Sequence, residues 1–283
     1  MFHSIPSLPF LQEAFLSWSL PPTNDQFINS QLSRAINDNS VEEVAALLAR
    51  QNIDVNWRDP ILGWGPLHQS CQLGHTEVVT LLLAHPDIDV NLRTCHGSTP
   101  LMWACLCGRT ACAKLLLRDA RVRVNHPDST GFTPLVAAAQ TERVDIMQWM
   151  MASGKELQIG GASDAIDTAT RCGQLKVLSL LESFMADPAL TRHLIRLHIG
   201  YYDEIAAEIF AIVVFCCDGL VRVVDRGPAA RFLLILRRLP LELQMVVSHR
   251  AAGSLKILIP ALLLENAFRD LAWKLERPLR SIL

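Results

Sequence analysis

Apolar residues in the middle of the chain fall into two alternating kinds of block. The first kind is short and opens on a proline: Pro66-Leu67, Pro100-Leu101 and Pro134-Leu135 follow Gly65, Thr99 and Thr133, and lead to small residues at Ser70-Cys71, Ala104-Cys105 and Ala138-Ala139. The second kind is a longer run, Val78 to Leu83 and Cys112 to Leu117, broken only at Thr80 and Lys114 and reached through Gly74 and Gly108. The residues before the prolines are spaced by 34 and 34 positions, and Asn56, Asn91 and Asn125 close the units. Two apolar blocks per period predict two helices per unit, stacked unit on unit, because one helix pair cannot bury its apolar face alone.

Each recurring residue has a local reason to be where it is. A threonine hydroxyl at Thr99 or Thr133 caps the free amides of a helix start, and Pro100 and Pro134 take the first helical position, where a missing N–H costs nothing. Gly74 and Gly108 end the first helix where a left-handed conformation is wanted. The small residues let the second helix, rich in Leu and Val, approach closely. On these residues the chain resembles the ankyrin repeat, with its Thr-Pro-Leu-His-x-Ala phrase and period near 33. The resemblance covers roughly half the chain. It implies an all-α solenoid of four to five helix pairs that binds a protein and names no ligand.

The pattern weakens at both ends. From Ser30 to Asn56 the register continues without its Thr-Pro start, with Leu32 and Ala35 on the first helix and Val44, Leu47 and Leu48 on the second; this reads as an atypical capping repeat. The loop after Asn56 takes seven residues to reach Gly63, against six to Gly97 and Gly131, so it is expected to project further. In the fourth repeat Glu142 replaces the helix-ending glycine. In a fifth, Asp164-Ala165 replaces Thr-Pro. The expected organisation is an N-terminal segment over 1–29, in which Pro9 to Leu16 fits a short capping helix or an ordered-in-part tail, repeats over 30–185, and a separate helical region over 190–283. That last region is expected to break near Gly200 and Gly219, to hold helices over 190–224 and 229–236, and to start new ones at Pro240 and Pro260.

Composition narrows the function. At 283 residues, 50% hydrophobic and 19% charged, the chain has enough apolar material for an elongated stack. Net charge is −6 over 1–189 and +4 over 190–283, ordinary solvated faces, so no nucleic-acid partner is expected. The apolar run Ile209 to Cys217 is too short to cross a bilayer. Residues 1–29 lack the pattern of a signal peptide, and eight cysteines without a paired framework fit buried thiols in a reducing compartment. An intracellular protein is expected, cytoplasmic rather than nuclear. Cys95, His96, Cys105 and Cys107 lack zinc-motif spacing, so no metal site and no cofactor is expected.

Phosphate loops, dinucleotide turns, metalloprotease helices and nucleophile elbows are missing from the sequence, and no enzyme activity is expected. His68 and His75 match the family's histidines, which hold loops; with Gly65 in place of threonine, the tautomer of His68 stays open. The resemblance implies binding through loop tips and the exposed face of the first helices. Here these are Trp64, Gln72 and Leu73; Cys95, His96, Ser98 and Leu106; and Ser129, Thr130, Phe132 and Gln140. Trp64 and Phe132 serve either as exposed aromatic anchors or as rings folded onto a neighbouring loop. Trp103 points the same way in this register. Finally, Leu239-Pro240-Leu241-Glu242-Leu243 with Ala267-Phe268-Arg269 loosely resembles an F-box, which would imply a ubiquitin-ligase adaptor docking a Skp-type linker. A purely structural domain would bury Leu239, Leu243 and Val246, and that burial is the expected outcome.

Overall fold

The computed structural model describes residues 24–50, 53–160, 164–217, 239, 241–252, 267 and 271. All regular structure among them is helical. Contacts divide the chain into two units, Met1–Met185 and Ala186–Leu283. The proposed capping helix at Pro9 to Leu16 and the helices expected over 229–236 and from Pro260 lie outside the described residues, Ala267 and Leu271 excepted.

The first unit contains five helix pairs. They are α1 (Asn24–Asn37) with α2 (Val41–Leu48), α3 (Pro66–Leu73) with α4 (Thr76–Leu83), α5 (Pro100–Leu106) with α6 (Thr110–Arg118), α7 (Pro134–Gln140) with α8 (Val144–Ala152), and α9 (Ala165–Arg171) with α10 (Leu175–Ala186). First helices stack on first helices from α1 to α9, and second helices on second helices from α2 to α8. The buried second-helix positions repeat with the same period: Val78, Cys112 and Ile146; Val79, Ala113 and Met147; Leu82, Leu116 and Met150. That repetition joins each pair's apolar face into one continuous core, the condition for a solenoid to be stable. Helix α1 starts six residues before the expected boundary at Ser30, because Ile28 and Leu32, one turn apart, are both buried.

The caps follow the sequence where the signature residues are present. Thr99 Oγ1 accepts from Met102 N–H, Thr133 Oγ1 from Val136 N–H and Asp164 Oδ1 from Ile166 N–H. Gly74 and Gly108 have φ of +86° and +64°. They also leave room for an arginine from the next repeat: a Cβ on Gly74 would stand 2.9 Å from Arg109 Cδ, and one on Gly108 2.5 Å from Arg143 Cζ. Arg109 Nε donates to the Gln72 carbonyl across that gap at 2.9 Å. Glu142 adopts a φ of +55° without the freedom of glycine.

Asn56, Asn91 and Asn125 act as clamps between repeats. Asn91 Nδ2 donates to the Arg121 carbonyl at 2.8 Å while its Oδ1 accepts from Arg123 N–H at 2.8 Å. Asn56 does the same to Asp87 and Asp89, and Asn125 to Glu156 and Gln158. An amide is the side chain that offers a donor and an acceptor side by side, which explains asparagine at all three places.

In the second unit, α11 (Pro188–His198) starts on Asp187, whose Oδ1 accepts from Ala189 and Leu190 N–H, and ends before Gly200. Helix α12 (Tyr201–Cys217) follows, and α13 (Leu241–Ala251) starts directly after Pro240. Ala206, Ala207, Phe210 and Ala211 form a core with Ala252 and Ala267, with Met245 and Leu271 packed beside them. Among the described residues no helix is long and apolar enough to cross a membrane.

Candidate binding surface

Three loop tips line up along the start of the first-helix row, each closed by one polar residue at an equivalent position. Asp59 Oδ2 accepts from Leu62 N–H, and the Asp59 N–H donates to the Trp64 carbonyl. Thr94 Oγ1 accepts from Ser98 N–H. Asp128 Oδ1 accepts from the N–H of Thr130 and Phe132 and from the Thr130 hydroxyl. The tips are then tied to one another: Cys95 N–H donates to the Leu62 carbonyl at 3.0 Å, and Ser129 N–H to the His96 carbonyl at 2.9 Å. A loop whose backbone groups are bonded in this way presents its side chains from a fixed base.

His68 braces the row from beneath. Its Nδ1 accepts from Gly65 N–H at 3.2 Å, and its Nε2 lies 3.1 Å from the Ser98 carbonyl. A backbone donor on one nitrogen and a backbone acceptor on the other fix the neutral Nε2–H tautomer, which answers the question left open by Gly65. Burial lowers its pKa from 6.5 to about 4. A Cβ at Gly65 would come 2.6 Å from Leu92 Cδ2, so a capping threonine there would require the buried Leu92 side chain to shift.

Of the expected contact residues, Cys95, His96, Ser129, Thr130 and Gln140 are exposed, and Gln72, Leu73, Leu106, Trp64 and Phe132 are half-buried. Ser98 departs from expectation. It is only 7% exposed, since its N–H is held by Thr94 and its carbonyl by His68, so it builds the tip and does not face outward. Trp64 folds onto the neighbouring repeat, its ring centroid 4.4 Å from that of Trp103 with the planes tilted by 54°. The contact braces the two half-buried rings against each other.

Two residues of this surface escaped the sequence reading. Ile61 is 81% exposed and Leu62 44% exposed, both in the longer first tip beside Trp64. The available signal was an apolar pair inside a turn, bracketed by Pro60 and Gly63, where neither helix nor strand could bury it. The cysteines are split: Cys71, Cys105 and Cys112 are buried and their thiol pKa values are pushed up by burial, whereas Cys95 is exposed at its tip. Among the described residues no group of three or more His, Cys, Asp or Glu side chains is placed to hold a metal ion.

The second unit overturns the burial expected of Leu239, Leu243 and Val246. Leu243 is 49% exposed and its neighbour Leu241 56%, while Leu239 and Val246 are half-buried. Helix α13 turns a different face inward: Gln244 and Ser248, four residues apart, are buried, with Gln244 Nε2 donating to the Leu239 carbonyl at 2.8 Å and Ser248 Oγ to the Gln244 carbonyl. Side-chain hydrogen bonding made that polar face buriable, which the apolar count along the helix does not register.

Residues 32–128 and 91–160 match the family model for ankyrin repeats in three copies. The chain carries ankyrin repeats. A stretch of 70 residues, 24% of this chain, is 40% identical to SMC5-SMC6 complex localization factor protein 1 of Homo sapiens, and 60 residues, 21% of this chain, are 40% identical to its counterpart in Mus musculus. In both cases the similarity spans 6% of the relative's length. The ankyrin family supports a role in protein–protein interaction.

Proposed function

We propose that this chain is a non-catalytic recognition scaffold that holds a protein partner against the ankyrin tips and the exposed side of helices α3, α5 and α7. The observation that carries the reading is the set of cross-tip hydrogen bonds, Cys95 to Leu62 and Ser129 to His96, which hold three adjacent tips in one register. Contacts come from Trp64, Gln72, Leu73, Cys95, His96, Leu106, Ser129, Thr130, Phe132 and Gln140. Rigid aromatics on a preorganised base give contact area at low entropic cost. The partner is expected inside the cell, where the buried thiols stay reduced, in the cytoplasm or the nucleus alike. By the relatives' name, an SMC5–SMC6-type complex is a candidate partner. Proximity labelling in the native host tests the proposal: replacing Trp64 and Phe132 together with Ala removes the labelled partner while the chain stays folded. Unchanged labelling by that folded variant would reject this surface.

A second reading has an observation of its own. The exposed Leu241 and Leu243 at the head of α13, behind Leu239-Pro240, provide apolar contacts of the kind an F-box-like adaptor needs for a Skp-type linker. Co-purification of such a linker with the wild type, lost in a folded Leu243→Asp variant, is the result this adaptor reading requires; without it, the adaptor reading falls.

A further inference from the structure

The three central first helices, α3 (PLHQSCQL), α5 (PLMWACL) and α7 (PLVAAAQ), contain no Asp, Glu, Lys or Arg. Their neighbours in the same row are ordinary: α1 carries Asp25 and Arg34, and α9 carries Asp167 and Arg171. The one histidine in the three helices, His68, is buried and held neutral. Much of the ionic equipment of the adjoining tips is turned to construction. Asp59 and Asp128 accept the turn amides, and Arg93 donates to the Gly97 and Pro127 carbonyls. Arg58 and His96 stand exposed beside them. Against this background the longer first tip raises Ile61 and Leu62 into solvent next to the Trp64–Trp103 pair.

We infer that this surface recognises an uncharged, apolar segment of a protein partner, whose aliphatic or aromatic side chains seat against Ile61, Leu62 and the two tryptophans. The inference rests on the scaffold reading above and names the class of partner. A charged side chain laid on the three helices would lose hydration there with no counter-charge from the helices themselves, Arg58 and His96 standing only at the edge of the tips. An apolar segment loses nothing comparable and gains by covering Ile61 and Leu62. Association driven in this way is insensitive to salt, because screening acts only on charges.

Phage-displayed random twelve-residue peptides, panned on the full chain, supply the probe. Enriched peptides are synthesised and their affinities measured for the wild type, for Ile61→Ser/Leu62→Ser, and for Glu77→Ser on the outer helix α4. The expected winners carry no net charge and at least two large apolar side chains. Their Kd changes by less than about threefold between about 0.05 and about 0.5 M NaCl. It weakens at least about tenfold in Ile61→Ser/Leu62→Ser, whose thermal melt is retained, and is unchanged in Glu77→Ser. Charged winners, or a larger loss of affinity with salt, would overturn the uncharged class while leaving the scaffold reading in place if the double variant still weakens binding. Peptides indifferent to the double variant, or no enrichment over the bare support, would overturn the class and count against the surface itself.

Discussion

Acidification should loosen the repeat stack through one side chain, His68. Its ring nitrogens meet a backbone N–H on one side and a backbone carbonyl on the other, so a proton added at Nδ1 would point at the Gly65 N–H. The folded-state pKa lies near 4 against 6.5 for an unperturbed histidine. The unfolded chain therefore binds more protons than the folded one between these values. Stability linked to His68 is complete above pH 6.5, falls as pH falls through that window, and loses nothing more below about 4. At about 1.4 kcal/mol per pKa unit the full loss is about 3 kcal/mol, with about 2 kcal/mol gone by pH 5. Urea unfolding of the full chain at a series of pH values, compared with His68→Gln, isolates this contribution from the carboxylates, which are common to both. The wild type should lose stability faster than the variant between pH 6.5 and 4.5. Parallel curves for the two proteins, or an imidazole ¹⁵N signal for His68 that titrates near 6.5 in the folded chain, would refute the reasoning.

Three further expectations follow from other positions. Asn91→Ala removes both bonds of one clamp and should cost about 1–2 kcal/mol by urea unfolding; Asn91→Asp keeps only the acceptor and should fall between alanine and the wild type. Glu142→Gly relieves a left-handed non-glycine residue and should raise stability by about 0.5–1 kcal/mol, read as an increase in the thermal midpoint; a decrease would mean that the Glu142 side chain matters more than its backbone. Leu243→Asp on the exposed face of α13 should change stability by no more than about 0.5 kcal/mol, whereas Phe210→Asp in the core of the same unit should unfold it, as followed by circular dichroism.

Much of the ankyrin unit was legible because its residues act locally. Thr99 and Thr133 cap the helices they immediately precede, and the 34-residue spacing alone aligns Val78, Cys112 and Ile146 on one buried face. What the sequence concealed depends on contacts between repeats. Gly65 looked like a lost cap, yet Leu92 from the next loop occupies the space a side chain would need. Ser98 occupied a tip position and so read as a contact, but the bonds from Thr94 and His68 draw it inward. The same limit governed α13, where counting leucines pointed to an apolar inner face and a buried glutamine–serine pair decided the opposite. In each case the deciding neighbour is distant in sequence or polar, and hydrophobic periodicity sees neither.

The asparagine clamps carry a consequence for how this chain can change over time. Each clamp bonds to main-chain groups alone, and the residues supplying them differ at every junction: Asp87 and Asp89, Arg121 and Arg123, Glu156 and Gln158. A clamp that ignores its neighbour's side chains places no demand of its own on their identity. So far as the clamps are concerned, whole units can be duplicated, exchanged or lost in multiples of the period; what a new seam must still match is the side chains that cross it, such as Arg109 onto the Gln72 carbonyl and Arg121 onto the Leu83 carbonyl. The fold is heritable one module at a time, and its surface is left open to selection for whatever it comes to hold.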